Sequence, residues 1–304
     1  MIKSITVINY LNEKLTLELK RPEKSGFAVT RIDGLGPVKA NINTVEVSTR
    51  DGSSFNSART TQRNIVMSLR YVFQNSIEDV RQQSYKYFPV KKPLTLIIET
   101  DNRILGIEGY VESNEPDIFS KDESAQISII CPNPHFYSAG TNGQKTVTFY
   151  GIEPAFEFPF SNESLSSDNL LFGTIERHGE RNVVYSGDVN TGMTILLSST
   201  GDAENVKIYN LGTRETMEID TSKLETLTGH KIIAGDEITI CTSKGSKSVT
   251  LLRNGKYTNI LNCLTKNSDW FELVKGDNIF AFTADEGQSD LSLTIKYNVL
   301  YEGV

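Results

Sequence analysis

The sequence is poor in the residue types that most often carry chemistry. Its 304 residues include three cysteines, three histidines and one tryptophan. The cysteines, at positions 131, 241 and 263, are too few and too scattered for a disulfide framework or a CxxC pair, which favours reduced, buried thiols. No apolar run approaches the ~20 residues that cross a bilayer, and the N-terminus lacks the apolar stretch of a signal peptide. We therefore expect no membrane span and synthesis in a cytoplasm.

The charge balance argues against a nucleic-acid-binding protein. The chain has 31 Lys and Arg residues against 38 Asp and Glu residues, a formal net charge of −7. Binding to nucleic acid depends on cations that displace counterions from the phosphates, and this chain has no such excess. Its length suits two domains, each large enough for its own core.

No motif predicts a catalytic, metal or cofactor site. The histidines, His135, His178 and His230, are 43 and 52 residues apart, and none pairs at i, i+4 or with a nearby cysteine. No GxSxG nucleophile motif is present. The segment 33–40 (DGLGPVKA) contains GxG, but a strand pattern follows it, whereas phosphate binding needs a helix there. We predict no catalytic residues, no metal and no cofactor.

Paired carboxylates leave an enzymatic alternative open. Acid pairs such as Asp122-Glu123 and Asp285-Glu286 could serve a glycosidase. Both pairs stand in hydrophilic turns, where solvated acids normally lie. The hypothesis that the protein is a hydrolase therefore depends only on the abundance of carboxylates.

Alternation of apolar and polar residues dominates and predicts a mainly β protein. Segments such as 63–73 and 236–240 alternate with period two, and Gly-containing turns separate the segments. The clearest hairpin is residues 248–260, two alternating runs around Asn254-Gly255. One helix is predicted near residues 76–88, with a Ser or Asn N-cap, acids in its first turn and Pro89 after it.

A domain boundary is predicted at residue 137/138. The segment CPNPHFY (131–137) places two prolines directly after a strand, and SAGTNG (138–143) has the composition of a linker. The first part, 1–137, has 17 basic and 16 acidic residues, whereas 138–304 has 14 and 22. The two domains should therefore present different surfaces.

The order and spacing of several segments resemble the distal tail proteins of siphophages that infect Gram-positive bacteria. The resemblance extends along essentially the full chain. In the first half it rests on GLGP (34–37), DGSSFNSAR (51–59), RNIVMSL (63–69) and CPNPHFY (131–137). In the second half it rests on EFPFS (157–161), SGDVNTG (186–192), GDEITI (235–240), GSKSVTL (245–251), SDWF (268–271) and KGDN (275–278).

This resemblance implies a structural virion protein rather than an enzyme. It implies an N-terminal ring-forming β-sandwich (1–137) with one helix and an extended hairpin, and a C-terminal galectin-like β-sandwich (138–304). Such proteins form hexameric rings at the tail tip that join the tail tube to a tail-tip hub protein of the tail-associated lysin type. Receptor-binding or accessory baseplate proteins attach to them, and viral DNA passes through the hole without specific binding. The protein would be made in the bacterial host cytoplasm.

Two sets of residues are candidate contacts. The alternating segment 94–112 predicts a hairpin whose turn, Asp101, Asn102 and Arg103, we expect at the ring interface between subunits. As the alternative function, a carbohydrate-binding module would contact the host cell wall through Trp270 and Tyr257. Because Trp270 stands beside Phe271 and Leu273, we expect it in the core instead.

Overall fold

The protein consists of two compact units. The computed structural model describes residues 1–304 except 47, 50, 73–75, 121, 141–142, 155–172 and 178–179, and describes 150–154 and 173–177 by backbone alone. Unit 1 comprises Met1–Gly143 together with Leu300–Val304, and unit 2 comprises Gln144–Val299. The mainly β fold with short helices is confirmed.

Strands account for most of both units. In unit 1 they are β1 Ile2–Ile8, β2 Lys14–Glu18, β3 Phe27–Asp33, β4 Ala40–Glu46, β5 Ser53–Thr60, β6 Arg63–Tyr71, β7 Pro93–Thr100, β8 Ile104–Asp117, β9 Ser124–Cys131 and β10 Phe136–Ser138. In unit 2 they are β11 Gln144–Thr148, β12 Tyr150–Pro154, β13 Gly173–Arg177, β14 Glu180–Tyr185, β15 Thr194–Ser199, β16 Val206–Asn210, β17 Glu215–Ile219, β18 Glu237–Cys241, β19 Ser248–Arg253, β20 Lys256–Asn259, β21 Gly276–Thr283 and β22 Leu291–Asn298. The last strand, β23 Leu300–Tyr301, returns to unit 1.

Unit 1 is built on one antiparallel sheet of nine strands. Its main path is β2-β1-β7-β8-β9-β6-β3, and β10 pairs with both β8 and β23. The two end strands of this path, β2 and β3, are joined by only residues 19–26, so the sheet curls and brings its edges together. Alternate residues of β1, β2, β3 and β6 to β9 then point into one shared hydrophobic core.

Helix α1, Ile77–Tyr87, packs on this sheet and confirms the predicted helix. The Ser76 side chain accepts a hydrogen bond from the Glu78 backbone N–H, as the N-cap prediction requires. Val80 and Ser84 are buried on the inner face, and Phe88 follows the helix as a fully buried anchor. Strand β8 holds the helix end because the Asn114 side-chain amide donates to two helix carbonyls.

A buried arginine joins four separate segments of unit 1. Arg63 is 2% exposed, and within the described part of the chain its guanidinium donates to backbone carbonyls and to no side chain. Its Nε atom donates to Pro134 at 2.7 Å, and Nη2 donates to Glu302 at 2.6 Å. Its Nη1 atom donates to Gly34 and, at 2.6 Å, to Gly36. The glycine turn that superficially resembled a phosphate loop is therefore an acceptor for this cation.

The Arg63 side chain is enclosed on its other sides. Its guanidinium carbon stands 4.5 Å from the ring centroid of Phe136, a cation–π contact. Cys131 pairs with Arg63 across β6 and β9 and is fully buried. Burial lowers the pKa of Arg63 and raises the pKa of Cys131 to about 11, so this thiol stays protonated. Cys263 is buried too, whereas Cys241 is half-buried.

The C-terminal residues belong to unit 1, which differs from the expected 138–304 domain. Tyr301 of β23 pairs with Phe136 of β10, and the Val304 backbone N–H donates to the carbonyl of Leu35. Arg103 lies over the Tyr301 ring with its guanidinium carbon 4.6 Å from the centroid. Composition gave no sign of this return, because β10 and β23 pair across 165 residues, from Phe136 to Tyr301.

Unit 2 is a β-sandwich. A six-stranded sheet, β11-β22-β15-β18-β19-β20, faces a four-stranded sheet, β14-β21-β16-β17. Aromatic pairs cross the interior between the sheets: Phe149 meets Phe282 with ring centroids 6.2 Å apart, and Tyr185 meets Tyr297 at 6.0 Å. The sandwich also contains helix α2, Thr221–Thr228, which Asp220 caps at its N-terminus.

The predicted hairpin in unit 2 is confirmed as β19 and β20. Arg253 pairs with Lys256, so the loop is the two residues Asn254 and Gly255. Their φ angles are 50° and 76°, which is the left-handed backbone that a two-residue turn of this kind demands. Within the described part of the chain, no helix is both long and apolar enough to span a bilayer.

We predict that Arg63→Met destabilises unit 1 selectively. The substitution keeps an apolar stem but leaves four carbonyls without their donor. We therefore expect the free energy of unfolding of unit 1 to fall by about 3–5 kcal/mol. Hydrogen exchange of β6 and β9 should accelerate. The only tryptophan of the sequence, Trp270, lies in unit 2, so its fluorescence follows the unfolding of unit 2. The midpoint of that transition should stay at the wild-type value.

Arg59→Met is the matched control, because Arg59 is exposed on β5. That variant should exchange at the wild-type rate. Wild-type protection in Arg63→Met would contradict the central role of Arg63.

Candidate assembly interface

The titratable groups of the described residues form no reaction centre. His135 lies near Arg63, where burial and the neighbouring cation lower its pKa, and His230 lies in a turn after α2. His178 lies outside the described residues. Among the residues that are described, no three His, Cys, Asp or Glu side chains converge as a metal site would require. The most distinctive feature of unit 1 is instead an exposed pair of strands, β4 and β5.

Strands β4 and β5 form a separate two-stranded sheet, which we call the arm. Every residue of β4 is exposed, and β5 has only the half-buried Ser54 as an exception. The arm begins and ends at the Arg63 cluster, since residues 34–39 lead into β4 and Thr60 is three positions before Arg63. At ~3.3 Å per residue, its strands are roughly 20–25 Å long.

The register gives the arm one apolar face. Ile42 pairs with Ala58, and Thr44 pairs with Phe55 after a bulge at Asn56. Because paired residues point to the same side of the ribbon, Ile42, Ala58 and Phe55 share a face. Ile42 is 63% exposed and Phe55 is 67% exposed, so this face is unburied within its own chain.

The opposite face of the arm is mostly polar. Asn43 donates from its side-chain amide to the Ser57 hydroxyl at 3.1 Å, and Asn41 pairs with Arg59. Val45 is the apolar exception on this side. An isolated two-stranded ribbon is at best marginally stable in water, and an unburied apolar face adds a cost. Both properties indicate that the arm is built to be covered.

The arm was missed as a contact in the sequence because its residues are small and polar on average. The resemblance implied an extended hairpin, but the pattern favoured residues 94–112, where the apolar residues are denser. The usable signal was the i, i+2 spacing of Ala40, Ile42 and Thr44 next to a glycine-rich turn.

Residues 94–112 do form a hairpin, from β7 and β8. Both strands are hydrogen-bonded on both sides inside the nine-stranded sheet, so neither offers an open edge. The turn that joins them is exposed. Asp101 accepts from the Met1 ammonium at 2.5 Å, and Lys3 approaches the same carboxylate at 3.8 Å. These contacts lower the pKa of Asp101, with the ammonium hydrogen bond as the largest cause.

Trp270 and Tyr257 occupy different surroundings in unit 2. Trp270 is half-buried, and Lys247 Nζ lies 5.1 Å from its ring centroid. The expectation that it is a core residue is wrong, because Phe271 and Leu273 take the buried positions of this segment. Tyr257 is 72% exposed on β20 and pairs with Leu252. Lys247 is five residues from Leu252, roughly 16 Å along the strand, so the register does not bring the two aromatic residues together.

Comparison with known proteins relates both units to phage tails. Residues 186–301 match the family model of the siphovirus-type tail component, C-terminal domain. No curated protein sequence matches the chain. The crystal structure of the SPP1 Dit (gp 19.1) protein, described as a paradigm of the hub adsorption apparatus in phages that infect Gram-positive bacteria, aligns with a TM-score of 0.63 at 10% identity, over 97% of this chain and 98% of that one. A chain of the phage p2 baseplate in its activated conformation with Sr aligns with a TM-score of 0.50 at 10% identity, over 97% of each chain.

These matches confirm the predicted resemblance to tail proteins of siphophages. At 10% identity the solved structures establish the fold, and the family model adds a sequence relationship for the second half. Residues 186–301 are therefore similar to the C-terminal domain of siphovirus-type tail components, and the fold of the chain as a whole is similar to that of a siphophage distal tail protein.

Proposed function

We propose that this chain is a distal tail protein that closes into a ring at the tip of a siphophage tail. The ring joins the tail tube to the tail-tip hub protein, anchors receptor-binding or accessory baseplate proteins, and lets the genome pass through its hole. The host is a Gram-positive bacterium. The observation that carries this proposal is the arm, an amphipathic ribbon whose apolar face stands exposed in the described part of the chain.

The arm suits a contact that repeats from subunit to subunit. A ribbon on one side of a molecule meets a different surface of its neighbour, which makes the contact heterologous, and heterologous contacts close into rings when the rotation permits. Phe55 and Ile42 are the anchors, because large apolar side chains at the centre of a patch contribute most to association. Six such contacts give the hexamer that the resemblance implies.

The turn Asp101–Arg103 remains a second proposed ring contact. It is exposed and offers charges of both signs, which would set orientation more than affinity. Its ties to Met1 and Tyr301 hold it in one conformation, so little ordering entropy would be lost on contact. The arm provides the apolar area that this turn lacks.

Carbohydrate recognition is the alternative proposal for unit 2. Tyr257 offers an open ring face, whereas Lys247 covers one face of Trp270. The roughly 16 Å along the strand from Tyr257 to the lysine exceeds the length of a monosaccharide. A joint glycan site is therefore less well supported than a protein contact.

We predict that Phe55→Asp prevents ring formation. A carboxylate at this position would be buried without a partner in the subunit contact, so light scattering should give a monomer mass where the wild type gives a hexamer. Ser57→Asp is the control, because it places the same charge on the polar face of the same ribbon and should leave rings intact. Rings in Phe55→Asp seen by negative-stain microscopy would refute the arm contact.

We predict that deletion of residues 100–104 also yields monomers if the turn is a ring contact. The deletion leaves only Glu99 between the paired residues Ile98 and Leu105, so the end of the hairpin must open to form a new turn. A circular dichroism spectrum with the wild-type strand signal is therefore the control that the rest of the sheet is retained. Persistent rings after the deletion would remove the turn from the interface and leave the arm as the proposed contact.

We predict that Trp270→Ala and Tyr257→Ala differ in stability. Half-buried Trp270 should contribute about 1–2 kcal/mol to the unfolding free energy of unit 2, and exposed Tyr257 close to none. Urea denaturation monitored by far-UV circular dichroism distinguishes them. A loss of cell-wall polysaccharide binding in Tyr257→Ala at unchanged stability would favour the carbohydrate alternative.

A further inference from the structure

A second unburied apolar element of unit 1 lies at the turn between β8 and β9. We call residues 118–122 the tip. Phe119 is 97% exposed and its neighbour Ile118 is 43% exposed. Turns of this kind usually carry Gly, Asn, Asp or Ser, and a large aromatic residue there gains nothing from the turn geometry. The tip therefore needs an explanation outside the local fold.

The tip is held firmly at its base. Asp117 and Ser124 close the hairpin, and the Tyr71 backbone N–H donates to the Glu123 carbonyl at 3.0 Å. Arg81 of α1 donates from Nη1 to Glu123 Oε2 at 3.3 Å. Inside the turn the Ser120 hydroxyl donates to the Asp122 carbonyl at 2.9 Å. The apolar residues thus project from an anchored turn, so little ordering entropy would be lost on binding.

The tip is far from both the arm and the linker. Ser124 pairs with Arg70, at the opposite end of β6 from Arg63, where the arm is attached. This span along β6 is roughly 23 Å. The linker leaves unit 1 beside the start of β8, where Ala139 donates to the Ile104 carbonyl, and the tip follows the other end of that strand. A contact made by the tip is therefore separate from the arm contact.

Charge defines the chemistry of the partner. Glu115, Asp117 and Asp122 are exposed around the tip and make no ion pair with any described residue, and the turn sequence contributes a single lysine, Lys121. An aromatic anchor in an acidic collar fits an apolar pocket that has a basic rim. A saccharide would not select for exposed carboxylates, so a protein surface fits better.

We infer that the tip is a plug that docks into a pocket on a tail protein stacked against the ring. The pocket is apolar inside and basic at its rim, and Phe119 is the anchor of the plug. This inference rests on the proposed function, because it takes the ring to have coaxial neighbours. The arm joins subunits within the ring, and the plug joins the ring to the next component along the tail axis. Each subunit repeats the plug, so a modest contact becomes strong through multivalency.

The experiment measures binding of the purified full-length chain to two probes, the tail-tube protein and the tail-tip hub protein of the same phage, by biolayer interferometry. Phe119→Asp should weaken binding to the stacked partner about thirtyfold or more, because a hot-spot anchor is replaced by a charge. Ring mass and melting temperature should stay at wild-type values, because the side chain is 97% exposed.

Two controls make the result specific. Leu227→Asp changes another exposed apolar residue to the same charge, on α2 of unit 2, and should leave binding unchanged. Phe119→Leu keeps an apolar anchor and should retain most of the affinity. Binding of wild-type strength to both probes by ring-forming Phe119→Asp would overturn the plug.

Failure of the proposed function has a different signature. A wild-type chain that stays monomeric would refute the ring. If that monomer still bound the tube or hub protein, and Phe119→Asp lost the binding, the plug would stand without the ring.

Discussion

The cation of Arg63, held by four backbone carbonyls and the ring face of Phe136, is the contact on which unit 1 depends. It holds a glycine turn, the segment after β9 and the returning C-terminal residues around one guanidinium. Gly34 has a φ of 87°, and a Cβ there would lie 2.1 Å from the Asn64 carbonyl oxygen, so only glycine permits this close approach. These segments are fixed together and cannot vary independently. In unit 2 a half-buried arginine, Arg253, pairs with the buried carboxylate of Asp236 instead.

The surface of unit 1 exposes large apolar side chains that do not contribute to the core of the subunit itself. The arm presents Ile42 and Phe55 at the Arg63 end of the sheet, and the tip presents Phe119 at the other end. Unburied apolar side chains cost solubility and invite unwanted pairing. Under the proposed function, their separation lets one subunit contact neighbours in two directions. The candidate functional sites of unit 1 are therefore its exposed apolar side chains rather than clusters of polar or titratable groups.

Sequence reasoning located the elements whose signals are local. The β alternation, the helix with its Ser76 cap and the Asn254-Gly255 hairpin depend on neighbouring residues, and all three were predictable. The arm was located less well, since Ile42 and Phe55 are 13 residues apart and share a face only through the bulge at Asn56. Trp270 was misplaced because its apolar neighbours take the core, and alternation turns Trp270 outward. The return of β23 depends on pairing across almost the whole of unit 2, which no local pattern encodes.

That return makes unit 2 an insertion within unit 1, with consequences for the order of synthesis. The ribosome completes the Arg63 cluster only after 144–299 have been made, because Glu302 supplies one of its acceptors. At translation rates of about 5–20 residues per second, the first unit waits roughly 8–30 s for its last strand. During that interval unit 2 folds as a continuous stretch of chain. Full consolidation of unit 1 is thereby delayed until the whole of unit 2 has been synthesised.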